Sequence, residues 1–306
     1  MSRGRRALIV GALGLALLTG MGIAFEVSAR RLLRAPGATR APLDIAPPDG
    51  AQRLRVPVGP PDGELDVWVF DPEGEARATV ITAHGLWDDK RSRVGFARHL
   101  ARLGARMVLV DLRGHGGSTG ERLSYGVIEG RDLQQVLDAL DARGWLARPV
   151  GVHGSSYGGA VAHQLAGLDP RVRAVVTVSS FADLHRVMRA YADGSWPLLA
   201  WALPDAGLRL FADRAAAIGG FDARATDVVP GIERSTADVL LFHGDRDEVI
   251  PIEQAMRIQR ACAPRGCRLV RLAGLDHEAA MHSVPARREG LSFLRDRLRL
   301  RGAAPL

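Results

Sequence analysis

From about residue 52 onward, short β-branched runs alternate with amphipathic stretches of helical length, and no other feature constrains the chain as much. The strand-like runs are Arg53–Val58, Leu65–Phe70, Thr79–Ala83, Arg106–Asp111, Val150–His153, Val172–Val178, Val239–Phe242 and Arg268–Leu272. Helical patterns lie between several of them: Ser92–Leu103, Val127–Arg143, Tyr157–Leu168, Ile252–Ala261 and, after the last, Pro285–Arg299. In the second of these, Leu133, Val136, Leu137 and Leu140 recur at helical spacing. Strands that alternate with helices predict an α/β fold, a mostly parallel sheet covered by helices on both faces. One interval breaks the rhythm. Residues 180–236 hold Phe181, Trp196, Trp201, Phe211 and Phe221 but no clear strand, and predict a small helical cap insertion. Its apolar side chains can serve as the underside of a lid on the core or as a wall of a pocket.

Hydrophobic residues make up 47% of the 306 positions and charged residues 25%, which excludes a mostly disordered chain. The net charge of +7 is concentrated at the start. Residues 1–34 carry Arg3, Arg5, Arg6, Arg30, Arg31 and Arg34 against Glu26, which leaves only +2 for the rest. The basicity is therefore a local signal and argues against a nucleic-acid partner. Lys90 is the only lysine.

Those arginines bracket Ala7–Phe25, which has no charged residue. As a helix it would span roughly 28 Å, close to the ~30 Å hydrocarbon core of a bilayer. A basic start followed by an apolar run predicts a signal anchor in residues 1–34, with a transmembrane segment at about 7–25. Its length, its four glycines and the basic residues past its end favour retention. The alternative is a signal cleaved after Val27-Ser28-Ala29, which would release a secreted body. The anchor reading gives membrane contact through the N-terminal helix, and a short basic tail kept inside puts the catalytic body on the outer side of the cell membrane. Residues 35–51, with Pro36, Pro42, Pro47 and Pro48, read as a Pro-rich tether leading to a domain at 52–300.

In open parallel sheets, ligands bind beyond the carboxyl ends of the strands. After Val150–His153 comes Gly154-Ser155-Ser156-Tyr157-Gly158, a G-x-S-x-G lodged between a strand and a helix. That turn lifts a serine out of the sheet at a helix N-terminus, where backbone N–H groups can hold an oxyanion. Val239–Phe242 leads to His243-Gly244-Asp245-Arg246-Asp247, and Arg268–Leu272 leads to Asp276-His277. A serine hydroxyl needs an imidazole to take its proton, and the imidazole needs a carboxylate to fix its tautomer.

On these motifs, with His84-Gly85 and Asp111-Leu112-Arg113-Gly114-His115-Gly116, the sequence resembles the α/β-hydrolase superfamily of serine hydrolases over about residues 52–300, and in particular its exported or membrane-anchored members. The resemblance implies Ser156 as nucleophile, Asp247 as acid and His277 as base. It implies oxyanion donors in the backbone N–H of Tyr157 and of Leu86, with Gly85 and Trp87 as alternatives to Leu86. Asp183, after the preceding strand, is the rival position for the acid. The reaction implied is cleavage of a carboxylic ester, thioester or lipid acyl bond through an acyl-enzyme, without cofactor or metal. A peptidase or acyltransferase with the same triad is the alternative, and a catalytically dead binding protein a third. Two other patterns fail on spacing. Gly114–Gly120 misses a phosphate loop, and His277-Glu278-Ala279-Ala280-Met281-His282 has one residue too many for a zinc helix. Cys262 and Cys267, the only cysteines, flank Ala263-Pro264-Arg265-Gly266; in an oxidising compartment they predict a disulfide.

Overall fold

A computed structural model describes the backbone of residues 3–195 and 204–301, and all side chains there except those of 3–11, 13, 14, 17, 18 and 192–195. Eight strands form one sheet in the order β1-β2-β4-β3-β5-β6-β7-β8. They are β1 (Ala51–Val58), β2 (Gly63–Phe70), β3 (Ala78–Ala83), β4 (Ala105–Val110), β5 (Val150–Ser155), β6 (Val172–Val178), β7 (Asp238–Gly244) and β8 (Arg268–Leu272). β2 runs antiparallel to both β1 and β4, and every later pairing is parallel. The predicted α/β architecture is thus present, with an antiparallel margin on one side.

Successive residues along the central strands feed opposite layers, as a period of two requires. Val80, Met107, Leu109, Val176 and Phe242 pack with Phe96 and Leu100 of α2 (Val94–Arg102) and with Leu291 and Leu294 of α10 (Val284–Arg297). Ile81, Val108, Val110, Val152 and Val175 pack with α3 (Val127–Asp141), α4 (Tyr157–Leu168) and α8 (Glu253–Cys262) on the other face. Both faces being buried explains why these strands read as continuous apolar runs rather than alternating ones. The two disulfide-forming positions, Cys262 and Cys267, are joined across the short turn between α8 and β8.

The cap consists of α5 (Leu184–Ser195), α6 (Asp205–Gly219), a 3-10 turn (Ala223–Thr226) and α7 (Val229–Arg234). Trp196 and Trp201 lie outside the described residues. Phe181 and Phe211 are buried, and Phe181 meets the Tyr125 ring edge-on at 6.2 Å.

The N-terminal helix α1 spans Arg3–Leu32. Nine of the nineteen side chains of the expected span Ala7–Phe25 lie outside the described residues. Among the described residues no helix is long and apolar enough to cross a membrane. The far end of α1 docks on the body instead of leading away from it. Phe25 meets Phe211 edge-on at 5.2 Å, Glu26 pairs with Arg214 at 2.9 Å, and Ala29 and Leu33 are buried. Tyr125 Oη donates to the Leu32 carbonyl at 3.0 Å, and Leu123 N–H donates to that of Leu33 at 2.7 Å. The proline-rich segment that follows is also held down: Gly37 and Leu43 N–H donate to the Gly114 and Gly116 carbonyls, each at 2.8 Å. Removing residues 1–34 should therefore cost about 3 kcal/mol of stability, the value of a few buried apolar side chains. For a chain of this size that lowers Tm by about 6–12 °C in calorimetry. An unchanged Tm would show that the docked end of α1 contributes nothing.

Candidate active site

The loops after β3, β5, β7 and β8 meet at one edge of the sheet, the carboxyl edge of its parallel strands. β5 ends at Ser155, α4 begins at Tyr157, and Ser156 makes the whole reversal alone, at φ 51° and ψ −120°. That is left-handed backbone a serine adopts only under constraint. The flanking glycines are what allow it. A Cβ on Gly154 would collide with the Gly158 carbonyl, and one on Gly158 with the Ala83 and His84 carbonyls.

The Ser156 hydroxyl lies 3.0 Å from Nε2 of His277, whose Nδ1 lies 2.7 Å from Oδ2 of Asp247. The nearness of the carboxylate puts the ring proton on Nδ1 and leaves Nε2 free to accept from the serine. Asp276 caps the short helix α9 (His277–Met281) by accepting from Ala279 N–H at 2.9 Å, which sets the direction in which His277 leaves the chain. Oδ1 of Asp247 accepts from Ile250 N–H at 2.8 Å and Val249 N–H at 3.1 Å. Burial pushes this carboxyl up. The hydrogen bond from His277, with the nearby backbone and imidazoles, outweighs that and holds it below the usual carboxylate range. All three side chains are nearly out of solvent: Ser156 and His277 are 8% exposed and Asp247 5%.

Asp183, the rival acid, is engaged elsewhere. It forms ion pairs with Arg257 and Arg186 and caps α5 through Arg186 N–H. Of the two histidines in the near-zinc pattern, His277 is buried in the triad and His282 is exposed, 3.8 Å from Glu278. Gly114–Gly120 is folded onto acids rather than opened to a ligand: Gly117 N–H donates to Asp111 at 2.7 Å.

The β3 loop is arranged by His84. Leu112 N–H donates to its Nε2 at 3.0 Å, so its proton is on Nδ1, which donates to the Gly85 carbonyl at 2.8 Å. Burial lowers its pKa to about 4, which keeps the ring neutral and this pattern fixed. In a trans peptide the carbonyl and the following N–H point in opposite directions. Turning the Gly85 carbonyl toward His84 therefore turns Leu86 N–H away from it. Gly85 itself faces the elbow; a Cβ there would sit 3.8 Å from Cβ of Ser156. Among the described residues, neither Leu86 N–H nor Tyr157 N–H has a hydrogen-bond partner. Trp87, the next residue, is held at φ 66° and is 76% exposed beside the site.

Sequence reasoning passed over Glu129. It is fully buried in α3 and accepts from Ser124 N–H at 2.9 Å, Gly126 N–H at 3.0 Å and the Tyr157 hydroxyl at 2.8 Å. It therefore fixes the side chain of the residue that follows Ser156. A glutamate in an amphipathic helix reads as solvated, so no sequence signal could have singled it out.

The sheet order and the strained serine at the β5–α4 turn decide the fold. The chain has the α/β-hydrolase fold. The family model described as serine aminopeptidase, S33, matches residues 74–216. An uncharacterised protein of Bacillus subtilis, YqkD, is 29% identical over 187 residues, covering 59% of this chain and 58% of that protein. The matched part thus spans little more than half the length of that curated relative. Among solved structures it is similar to an esterase of Pyrococcus furiosus, with TM-score 0.65 and 18% identity over 87% of this chain and 98% of the esterase. It is also similar to a puromycin-hydrolysing peptidase of Mycobacterium tuberculosis, with TM-score 0.62 and 22% identity over 85% of this chain and 42% of the peptidase. At such identities the likeness speaks for the fold alone, and both an esterase and a peptidase are among the structural neighbours.

Proposed function

We propose that this chain is a serine hydrolase that cleaves a carboxylic ester, thioester or lipid acyl bond through an acyl-enzyme on Ser156. One observation carries the reading: the unbroken line from Ser156 Oγ through His277 to Asp247, at 3.0 and 2.7 Å. In the first step, His277 Nε2 takes the hydroxyl proton as Ser156 Oγ bonds to the acyl carbon. The carbonyl oxygen becomes an oxyanion facing the free N–H groups of Leu86 and Tyr157. Collapse expels the alcohol or thiol, protonated by His277. Water, deprotonated by the same nitrogen, then releases the acid. Asp247 holds the imidazolium through each transfer. Attachment to the outer face of a membrane through α1 belongs to the same reading and is supported by the uncharged Ala7–Phe25 stretch with arginines at both ends.

Peptide cleavage with the same triad is the second reading, favoured by the serine aminopeptidase model that matches residues 74–216. Turnover of p-nitrophenyl esters of rising chain length, measured beside aminoacyl and peptide anilides, separates the two. The proposal expects esters to be cleaved with the higher kcat/KM. A fluorophosphonate, which bonds covalently to an activated serine, should label Ser156. Labelling that is absent would overturn both readings in favour of a binding protein.

A further inference from the structure

The two free N–H groups beside Ser156 come from different loops, so an oxyanion hole exists only if those loops are held in register. Leu86 lies in the turn after β3, closed by Asp88 N–H donating to the Gly85 carbonyl at 3.3 Å. Tyr157 opens α4. One side chain reaches both. Arg93, at the end of the 3-10 turn Lys90–Arg93, donates from Nη2 to the hydroxyl of Ser155, the residue before Ser156. The same nitrogen lies 3.5 Å from Oδ2 of Asp88, at the end of the Leu86 turn. Its Nε is buried and has no hydrogen-bond partner among the described residues. His84 and His153, which both feel the charge of Arg93, are kept neutral by burial. A guanidinium carrying an unpaired buried N–H is a costly way to join two loops. Such groups persist where geometry matters more than stability.

Resting on the serine-hydrolase reading above, we infer that Arg93 is a positioning residue for the oxyanion hole: it clamps the Leu86 turn to the Ser156 elbow and sets the spacing of the two backbone donors. One guanidinium nitrogen, Nη2, serves both ends, and the planar group fixes the direction of its two N–H bonds more tightly than a freely rotating lysine ammonium does. The side chain does not touch the reacting atoms. Its effect lies in where Leu86 N–H stands when negative charge develops on the substrate oxygen.

The test compares full-length wild type with Arg93→Gln, Arg93→Lys, Ser155→Ala and, as a control, the exposed Arg98→Gln. Each is assayed for fluorophosphonate labelling rate and for kcat and KM on its best p-nitrophenyl ester, with Tm alongside. Phosphonylation and ester attack both place a negative oxygen in the hole, so both report on it. Loss of a whole oxyanion donor costs roughly 10²–10³ in kcat, and a displaced one costs less, about 30-fold. Arg93→Gln should therefore lower kcat and labelling rate about 30-fold at near-constant KM. Arg93→Lys should recover part of the loss, Ser155→Ala should lose less than Arg93→Gln, and Arg98→Gln should match wild type. If Arg93→Gln fails to fold, Arg93→Lys and Ser155→Ala carry the comparison alone. A wild type that labels while the Arg93 and Ser155 variants label at the same rate overturns this inference and leaves the hydrolase reading intact. A loss of kcat matched only by a loss of folded protein assigns Arg93 a purely structural role and overturns it too. A wild type that does not label overturns the hydrolase reading, and this inference with it.

Discussion

Ser156→Ala should lower turnover roughly 10⁶-fold, and His277→Ala should cost nearly as much, because the two act as one unit. The double variant should be no worse than either alone. Without Oγ there is nothing for Nε2 to deprotonate, and without Nε2 the hydroxyl stays a poor nucleophile. Residual turnover would come from the oxyanion donors alone. The alanine at position 156 should leave folding intact. The hydroxyl's contact at this turn is with His277, 3.0 Å away, and the φ of 51° is allowed by Gly154 and Gly158, not by the serine side chain. Kinetics on both single variants and the double, with circular dichroism as the folding control, checks this. Additive losses would mean that Ser156 and His277 serve different steps.

Asp247→Asn should cost about 10⁴-fold in kcat with little change in KM. The two oxygens of Asp247 have separate duties. Oδ1 accepts from the N–H groups of Val249 and Ile250, and Oδ2 faces Nδ1 of His277. An asparagine would keep its carbonyl oxygen where the two backbone donors are and so point its amide nitrogen at His277. Nδ1 must then accept, the ring proton moves to Nε2, and Nε2 can no longer take the serine proton. The same substitution alters acid stability. Asp247 has a carboxyl held below its ordinary range, so the unfolded chain binds that proton more tightly than the folded one. Its contribution is full above an unfolded value near ~4 and is lost as pH falls through the lower folded value. Acid unfolding curves should therefore be flatter below pH ~4 for the asparagine variant. Full activity in that variant would move the acid's role to Asp183, although Arg257 and Arg186 already occupy that side chain.

The elements that carry the candidate site were readable because each depends on local pattern. The helix Tyr157–Leu168 and the strands Val172–Val178 and Arg268–Leu272 have the limits their periodicity predicts. The order of the strands was not readable. That β4 lies between β2 and β3 is a matter of distant pairings, which leave no mark on local composition. The predicted helix Ser92–Leu103 begins instead with a 3-10 turn at Lys90–Arg93, because Asp89 caps it by accepting from Arg91 N–H at 2.9 Å. The docked end of α1 was hidden for another reason. Apolar residues at the end of a leader-like run carry no sign of packing on a body, and only the partner, Phe211, shows that Phe25 does so. Arg93 and Glu129 look like surface charges in sequence and are revealed only by what surrounds them.

Lys90 is the only lysine in the chain, and it is buried. Its ammonium lies between Asp66 and Asp111 and 4.6 Å above the ring of Trp68, while its backbone N–H donates to Asp111 at 2.8 Å. The folded molecule therefore offers an amine reagent almost nothing except its N-terminus. Acylation at Lys90 has to wait until this corner opens, at a rate set by the opening equilibrium when reclosing is fast. One natural side chain thus makes a single-site clock for local unfolding. It sits in the loop after β3, the strand next to the one that leads to Ser156, in a protein whose lysine side chain would couple only after the fold had begun to come apart.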